Sequence, residues 1–133
     1  MVLRLALVTV VVRDYNEALD FFVRVLGFGV VEDTSLGDGK RWVVVSPGGG
    51  GADVLLARAD GQRQLARVGD QTGGRVALFL HTDDLTGDLA RWSACGVRFL
   101  EEPRTEPYGT VVVFEDISGN RWDLIQPVTS AGR

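Results

Sequence analysis

A chain of 133 residues has the size of one ordinary domain, and 45% hydrophobic against 24% charged residues is enough for a packed core and argues against disorder. A formal net charge of -4 gives no electrostatic attraction to nucleic acid or anionic lipid, and no apolar run reaches membrane-spanning length. A small organic partner is the remaining expectation, with a mild preference for a neutral or cationic one, and the lone Cys95, unable to form an internal disulfide, fits a reducing cytoplasm. The opening MVLRLALVTVVV is apolar like a secretion signal but has no polar, small-residue cleavage segment before Arg13 and Asp14, so a β-strand is the preferred reading.

Taken in order, Leu5 to Val12 is rich in β-branched residues and reads as a strand covered on both faces. Asp14 is the expected N-cap of a helix, with Glu17 completing a capping box. Tyr15, Ala18, Leu19, Phe22 and Leu26 recur at helical spacing as its buried stripe, and Gly27 stops it. Phe28 to Glu32 is a strand, Ser35 to Lys40 a glycine turn, Arg41 to Ser46 a strand, Pro47 to Gly51 a loop, and Ala52 to Ala57 a strand. Arg58 to Gly74 reads as an irregular linker with one helical turn, in which Leu65, Ala66 and Val68 are the expected buried residues.

Arg75 to Thr82 then begins a second unit. Asp83 or Asp84 caps its helix, whose stripe is Leu85, Leu89, Trp92 and Cys95, and Gly96 closes it. Val97 to Glu101 is a strand, followed by a loop carrying Arg104, Glu106 and Tyr108. Thr110 to Glu115 is a strand, Asp116 to Asn120 a turn, and Arg121 to Gln126 the last strand, with a loose tail after Pro127. Leu7, Asp14, Leu19 and Phe22 align with Ala77, Asp84, Leu89 and Trp92 at one constant offset. The chain therefore reads as one domain spanning residues 1–133, built from module one (about 3–57), a linker (about 58–74) and module two (about 75–127), two related supersecondary units.

The segments VVRDYNEALDFFVRVLGFGVVED and FEDISGNRWDLIQP, at this separation and with the repeat between them, resemble the vicinal oxygen chelate superfamily. That family includes glyoxalase I, extradiol dioxygenases, fosfomycin resistance enzymes and bleomycin-binding proteins. The resemblance covers essentially the whole domain and implies an α+β fold: two tandem βαβββ modules forming a cupped mixed sheet, in many members as a homodimer. It also implies a divalent metal in the cup, held by histidine and glutamate ligands that leave open positions for two neighbouring substrate oxygens.

Carried over residue by residue, that ligand set fails. The family's first histidine, seven positions before Asp14, is Leu7 here; its second-module counterpart is Ala77. The middle carboxylate falls near Leu55 or Leu56. Only Asp123, where the family's Glu follows the GN turn, retains a donor. One carboxylate does not hold a catalytic divalent ion against water. The expectation is no metal, no cofactor and no catalytic residue of the usual kind. His81 lies four residues past Ala77, roughly 13 Å along the strand at ~3.3 Å per residue, too far to replace it. His81 reads as a solvated strand end, a rim contact or an acid–base group. Cys95 reads as a small core residue.

Strand parity places Leu7, Thr9, Ala77, Phe79, Arg121 and Asp123 on the cup lining, with Trp122 behind the sheet. Asp123 either pairs with Arg121 or binds a ligand's basic or hydroxyl group. Arg104, Tyr108 and Trp42 are expected near the mouth, where an aromatic wall with few polar groups suits a cationic or aromatic organic molecule. Two functions follow: a metal-free binding protein that sequesters a drug or metabolite, or a glyoxalase- or dioxygenase-like enzyme (lyase or oxidoreductase) using a displaced metal or none.

Overall fold

The computed structural model describes residues 1–128. The tail after Pro127 lies, beyond Val128, outside the described residues. The chain divides into two compact units between Gln71 and Thr72. Module one runs β1 (Leu7–Val12), α1 (Tyr15–Leu19), β2 (Gly29–Gly37), β3 (Lys40–Ser46), β4 (Asp53–Arg58) and a short α2 (Gln62–Leu65). Module two runs β5 (Val76–His81), α3 (Leu85–Ala94), β6 (Arg104–Glu106), β7 (Gly109–Glu115) and β8 (Arg121–Pro127). Each is a βαβββ-like unit with its own four-stranded mixed sheet, ordered β1-β4-β3-β2 and β5-β8-β7-β6. In both, the first pair is parallel and the others antiparallel. The sequence repeat is thus a repeat of topology.

In module one, Asp14 caps α1 by accepting the Glu17 N–H at 2.7 Å. The other half of the capping box is absent: the Glu17 carboxylate pairs with Arg13 instead. Beyond Leu19 the helix widens into π-helical turns over Asp20–Val25, and Leu26 donates to the Phe21 carbonyl five residues back. The extra residue per turn rotates the buried face. Phe21 therefore joins Tyr15, Ala18, Phe22 and Leu26 in the core, and Leu19 of the expected stripe is only half-buried. Phe22 anchors this cluster, edge-on to Phe21 and tilted against Phe28.

The β2–β3 hairpin is longer than its sequence implied. Ser35 to Gly37 belong to the strand, and Asp38 (φ 55°) and Gly39 (φ 78°) alone make the turn. Two successive positive φ values match the right-handed twist of the flanking strands. Leu65 and Ala66, expected to be buried, are exposed, because α2 is a single turn lying on polar linker.

In module two, Asp84 caps α3 by accepting the Gly87 N–H at 3.1 Å. Leu85 and Trp92 are its buried residues and Leu89 is half-buried. Cys95 is exposed, contrary to the core reading, since it occupies the C-cap, where the chain has left the helical path. Trp92 meets Phe114 edge-on, and Phe114 stacks on Trp122, which is 1% exposed. Trp122 therefore faces the helix, as parity required.

The expected strand from Val97 to Glu101 is reduced to a single bridge between Phe99 and Phe114. The pairing strand is instead β6, within the stretch read as a loop. Pro103 has no N–H to continue a ladder, and the Glu101 carboxylate takes over by accepting the Val113 N–H at 3.1 Å.

Candidate functional site

The pleat sorts module one into two faces. Val10 and Val12 of β1, Val43 and Val45 of β3, and Val54 and Leu56 of β4 are almost fully buried. The register Thr9↔Leu55↔Val44 puts Leu7, Thr9, Leu55, Ala57, Val44 and Trp42 on the opposite face. An open groove of about 670 Å³ lies at this end of the sheet, its wall formed by Thr9, Trp42, Leu55 and Ala57, with the β2–β3 turn and the Arg58–Asp60 segment at its rim. This volume suits a drug-sized molecule. Leu7 shares the face but lies outside the groove lining.

Polar fittings surround this wall. The Tyr15 hydroxyl accepts the Arg41 backbone N–H at 3.1 Å, and the Arg41 and Arg58 guanidinium groups lie 5.2 and 5.1 Å from its ring centre. Arg41 is committed to Asp33 at 2.7 and 3.1 Å and to Asn16 at 2.8 Å. Its hydrogen bonds with Asp33 hold the Asp33 carboxyl below the usual carboxylate range. Outermost in the sheet, β1 is closed by a side chain: Gln71 accepts the Val11 N–H at 2.9 Å and donates to the Thr9 carbonyl at 2.6 Å. That amide stands in for a neighbouring strand and fixes the backbone beside the groove.

Module two carries a separate polar cluster. Asp123 sits on β8 between Phe79 of β5 and Val113 of β7. The residue is 7% exposed, and its Oδ1 is buried without a hydrogen-bond partner among the described residues. The pair Arg104↔Val111 places Arg104 on the same face. Arg104 Nε reaches Glu101 at 3.2 and 3.3 Å, and Nη1 bonds Glu106. Hydrogen bonding with the Tyr108 side chain, then the charges of Glu101 and Glu106, strengthen the hold on its proton. Burial pushes the Asp123 carboxyl upward; the Arg104 charge pulls it down and the Glu101 charge adds to the rise.

The sequence-predicted residues thus fall into two sets. Thr9 and Trp42 line the module-one groove. Asp123, Arg104 and Tyr108 form the module-two cluster. Arg121 is not the partner of Asp123: it is exposed and donates to the Gly74 carbonyl at 3.2 Å. Ala77 is the extra residue of a register irregularity between Val76 and Leu78, so simple alternation does not aim it. His81 ends β5 opposite Ile125, exposed, on the parity of Phe79. Sequence reasoning missed Tyr15, Leu36 and Arg58 at the groove and Glu101 beside Asp123. In the sequence, Tyr15 reads as part of the helix stripe and Arg58 as the start of the linker.

The donor set does not fit a chelated divalent ion. Leu55 and Thr9 face the groove, Leu56 is in the core, and among the described residues no three of His, Cys, Asp and Glu are placed to hold a metal. Asp123 has no second donor of its own kind beside it except carboxylates already bonded to Arg104.

Residues 4–124 match the family model of the Glyoxalase/Bleomycin resistance protein/Dioxygenase superfamily. The chain belongs to that superfamily. An uncharacterized protein of Shewanella frigidimarina (strain NCIMB 400) is 50% identical over 121 residues, 90% of each chain. The crystal structure of UcmS2 is similar with a TM-score of 0.81 and 30% identity, covering 94% of this chain and 98% of that one. TnmS3, an antibiotic binding protein from Streptomyces sp. CB03234, is similar with a TM-score of 0.75 and 30% identity, covering 96% and 98%.

Proposed function

We propose that the chain is a small-molecule binding protein that works without the metal its superfamily commonly uses, sequestering a drug or metabolite. The observation that carries this reading is the groove of about 670 Å³ in module one, with Trp42, Leu55 and Thr9 on its wall. Trp42 is 37% exposed and Leu36 53%, which is surface left open for a flat or apolar ligand. In module two, taken by itself, Asp123 has an oxygen buried without a hydrogen-bond partner among the described residues and is a separate candidate contact for a basic or hydroxylated group, with Arg104 and Tyr108 beside it. The likeness to an antibiotic binding protein at 30% identity supports the same class.

Homodimerisation belongs to this reading. The strand β2 is exposed along its whole length and carries Val30 and Val31 at the free edge of its sheet. We assign the protein to the cytoplasm on Cys95 alone; among the described residues no helix is long and apolar enough to cross a membrane.

The test is a thermal-shift screen of basic antibiotics and aromatic metabolites, followed by calorimetry and mass spectrometry on hits. A ligand recovered unchanged, raising the melting temperature by mass action, supports sequestration. A hit chemically altered during incubation replaces this reading with the glyoxalase- or dioxygenase-like one.

A further inference from the structure

Arg58 ends β4 at the rim of the module-one groove. Its guanidinium lies 5.1 Å from the Tyr15 ring centre. It also approaches the β2–β3 turn, where its Nη2 and Nη1 stand 3.5 and 3.9 Å from the position a Cβ on Gly39 would take. Arg41, beside the same ring, has its donors committed to Asp33 and Asn16. The side chain of Arg58 makes no hydrogen bond or ion pair among the described residues, and neither does that of Lys40 on the same rim. Asp38 and Asp60 also line the groove, and neither pairs with Arg58.

We propose that Arg58 is the anion-recognising residue of this groove, and that the ligand carries a carboxylate beside a flat aromatic ring. A guanidinium braced against an aromatic face keeps its planar fork of donors in one orientation, which suits two parallel bonds to a carboxylate. The ring then lies along Trp42 and Leu36, where the wall is apolar and open. This inference rests on the reading that the groove holds a ligand.

Three indoles with one ring and different charge test it: indole-3-acetate, indole-3-acetamide and tryptamine. Each is titrated into the full chain by calorimetry while the Trp42 indole N–H resonance is followed by nuclear magnetic resonance. Indole-3-acetate should bind about tenfold more tightly than its neutral amide, as expected for a charge-assisted pair. Arg58→Gln should abolish that preference and Arg58→Lys should keep part of it, with the melting temperature of each variant confirming the fold. If the probes shift Trp42 without a preference for the acid, or the preference survives Arg58→Gln, the inference is overturned while the groove reading stands. If no probe moves Trp42 at millimolar concentration, the groove reading fails and takes the inference with it.

Discussion

Arg104 and Asp123 share one face of the second sheet, yet no hydrogen bond joins them: Arg104 bonds Glu101, Glu106 and the Tyr108 side chain, and Asp123 Oδ1 is left buried without a partner among the described residues. Arg104 lowers the Asp123 pKa through its charge alone, and burial outweighs it. The folded chain consequently holds the Asp123 proton more tightly than the unfolded chain does. Between the ordinary value of 3.8 and the raised one, the native state binds more protons, so this group's contribution to stability falls as pH rises through that window. Asp123→Asn should remove that slope and raise the melting temperature at pH 7. Melting curves at pH 4 to 7 for both proteins check it; a variant less stable than wild type at pH 7 contradicts the unpaired carboxylate.

Asp116 is the opposite case, a buried carboxylate with many partners. Its Oδ1 accepts the N–H groups of Ser118, Gly119 and Asn120, each at 3.0 Å, and Oδ2 accepts the Trp122 indole N–H at 2.9 Å. This one side chain builds the turn into β8 and holds the Trp122 ring behind the sheet. Asp116→Ala should cost about 2–3 kcal/mol, the scale of losing bonds to a charged acceptor and leaving buried donors unpaired. Urea unfolding measures it, and a loss under about 0.5 kcal/mol, the range of ordinary surface substitutions, would refute the structural role.

Gln71 guards the outer edge of β1 through paired bonds to Val11 and Thr9. Gln71→Ala should destabilise the chain by about 1–2 kcal/mol, two ordinary hydrogen bonds less their rehydration. Hydrogen exchange at Val11 is the sharper readout. Its amide should lose protection selectively, and an unchanged exchange rate would show that the clip does not persist in solution.

Much of this architecture is legible in the sequence because local rules and tertiary structure agree. Asp14 and Asp84 cap their helices, and the two-residue alternation around Trp122 and Asp123 sends one side chain to each face of the sheet. Legibility ends where geometry departs from ideal periods. The π-helical turns exchange Leu19 for Phe21 in the core, and the irregularity at Ala77 breaks the count along β5. The strand β6 is hidden because Pro103, Pro107 and Gly109 around it read as a loop. The groove residues Leu36, Tyr15 and Arg58 come from three elements distant in sequence, and no local pattern joins them. Conversely, nearness in sequence and a shared strand face make Arg121 a candidate partner of Asp123, but its guanidinium bonds Gly74 instead.

The exposed β2 edge makes a prediction about assembly. Light scattering at micromolar concentration should report twice the chain mass, and Val30→Lys together with Val31→Lys should shift it to the monomer by placing charge on that edge. A wild-type monomer contradicts the dimer; a dimer untouched by the double variant moves the interface elsewhere.

The most direct test of metal-free ligand binding is a calorimetric titration of the best thermal-shift hit into the chain in the presence of excess EDTA. The account predicts unchanged affinity with and without chelator, no product in the cell afterwards, and weakening of about tenfold or more in Trp42→Ala, as expected for loss of an aromatic contact surface. Binding that disappears with EDTA, or that is indifferent to Trp42→Ala, would contradict it.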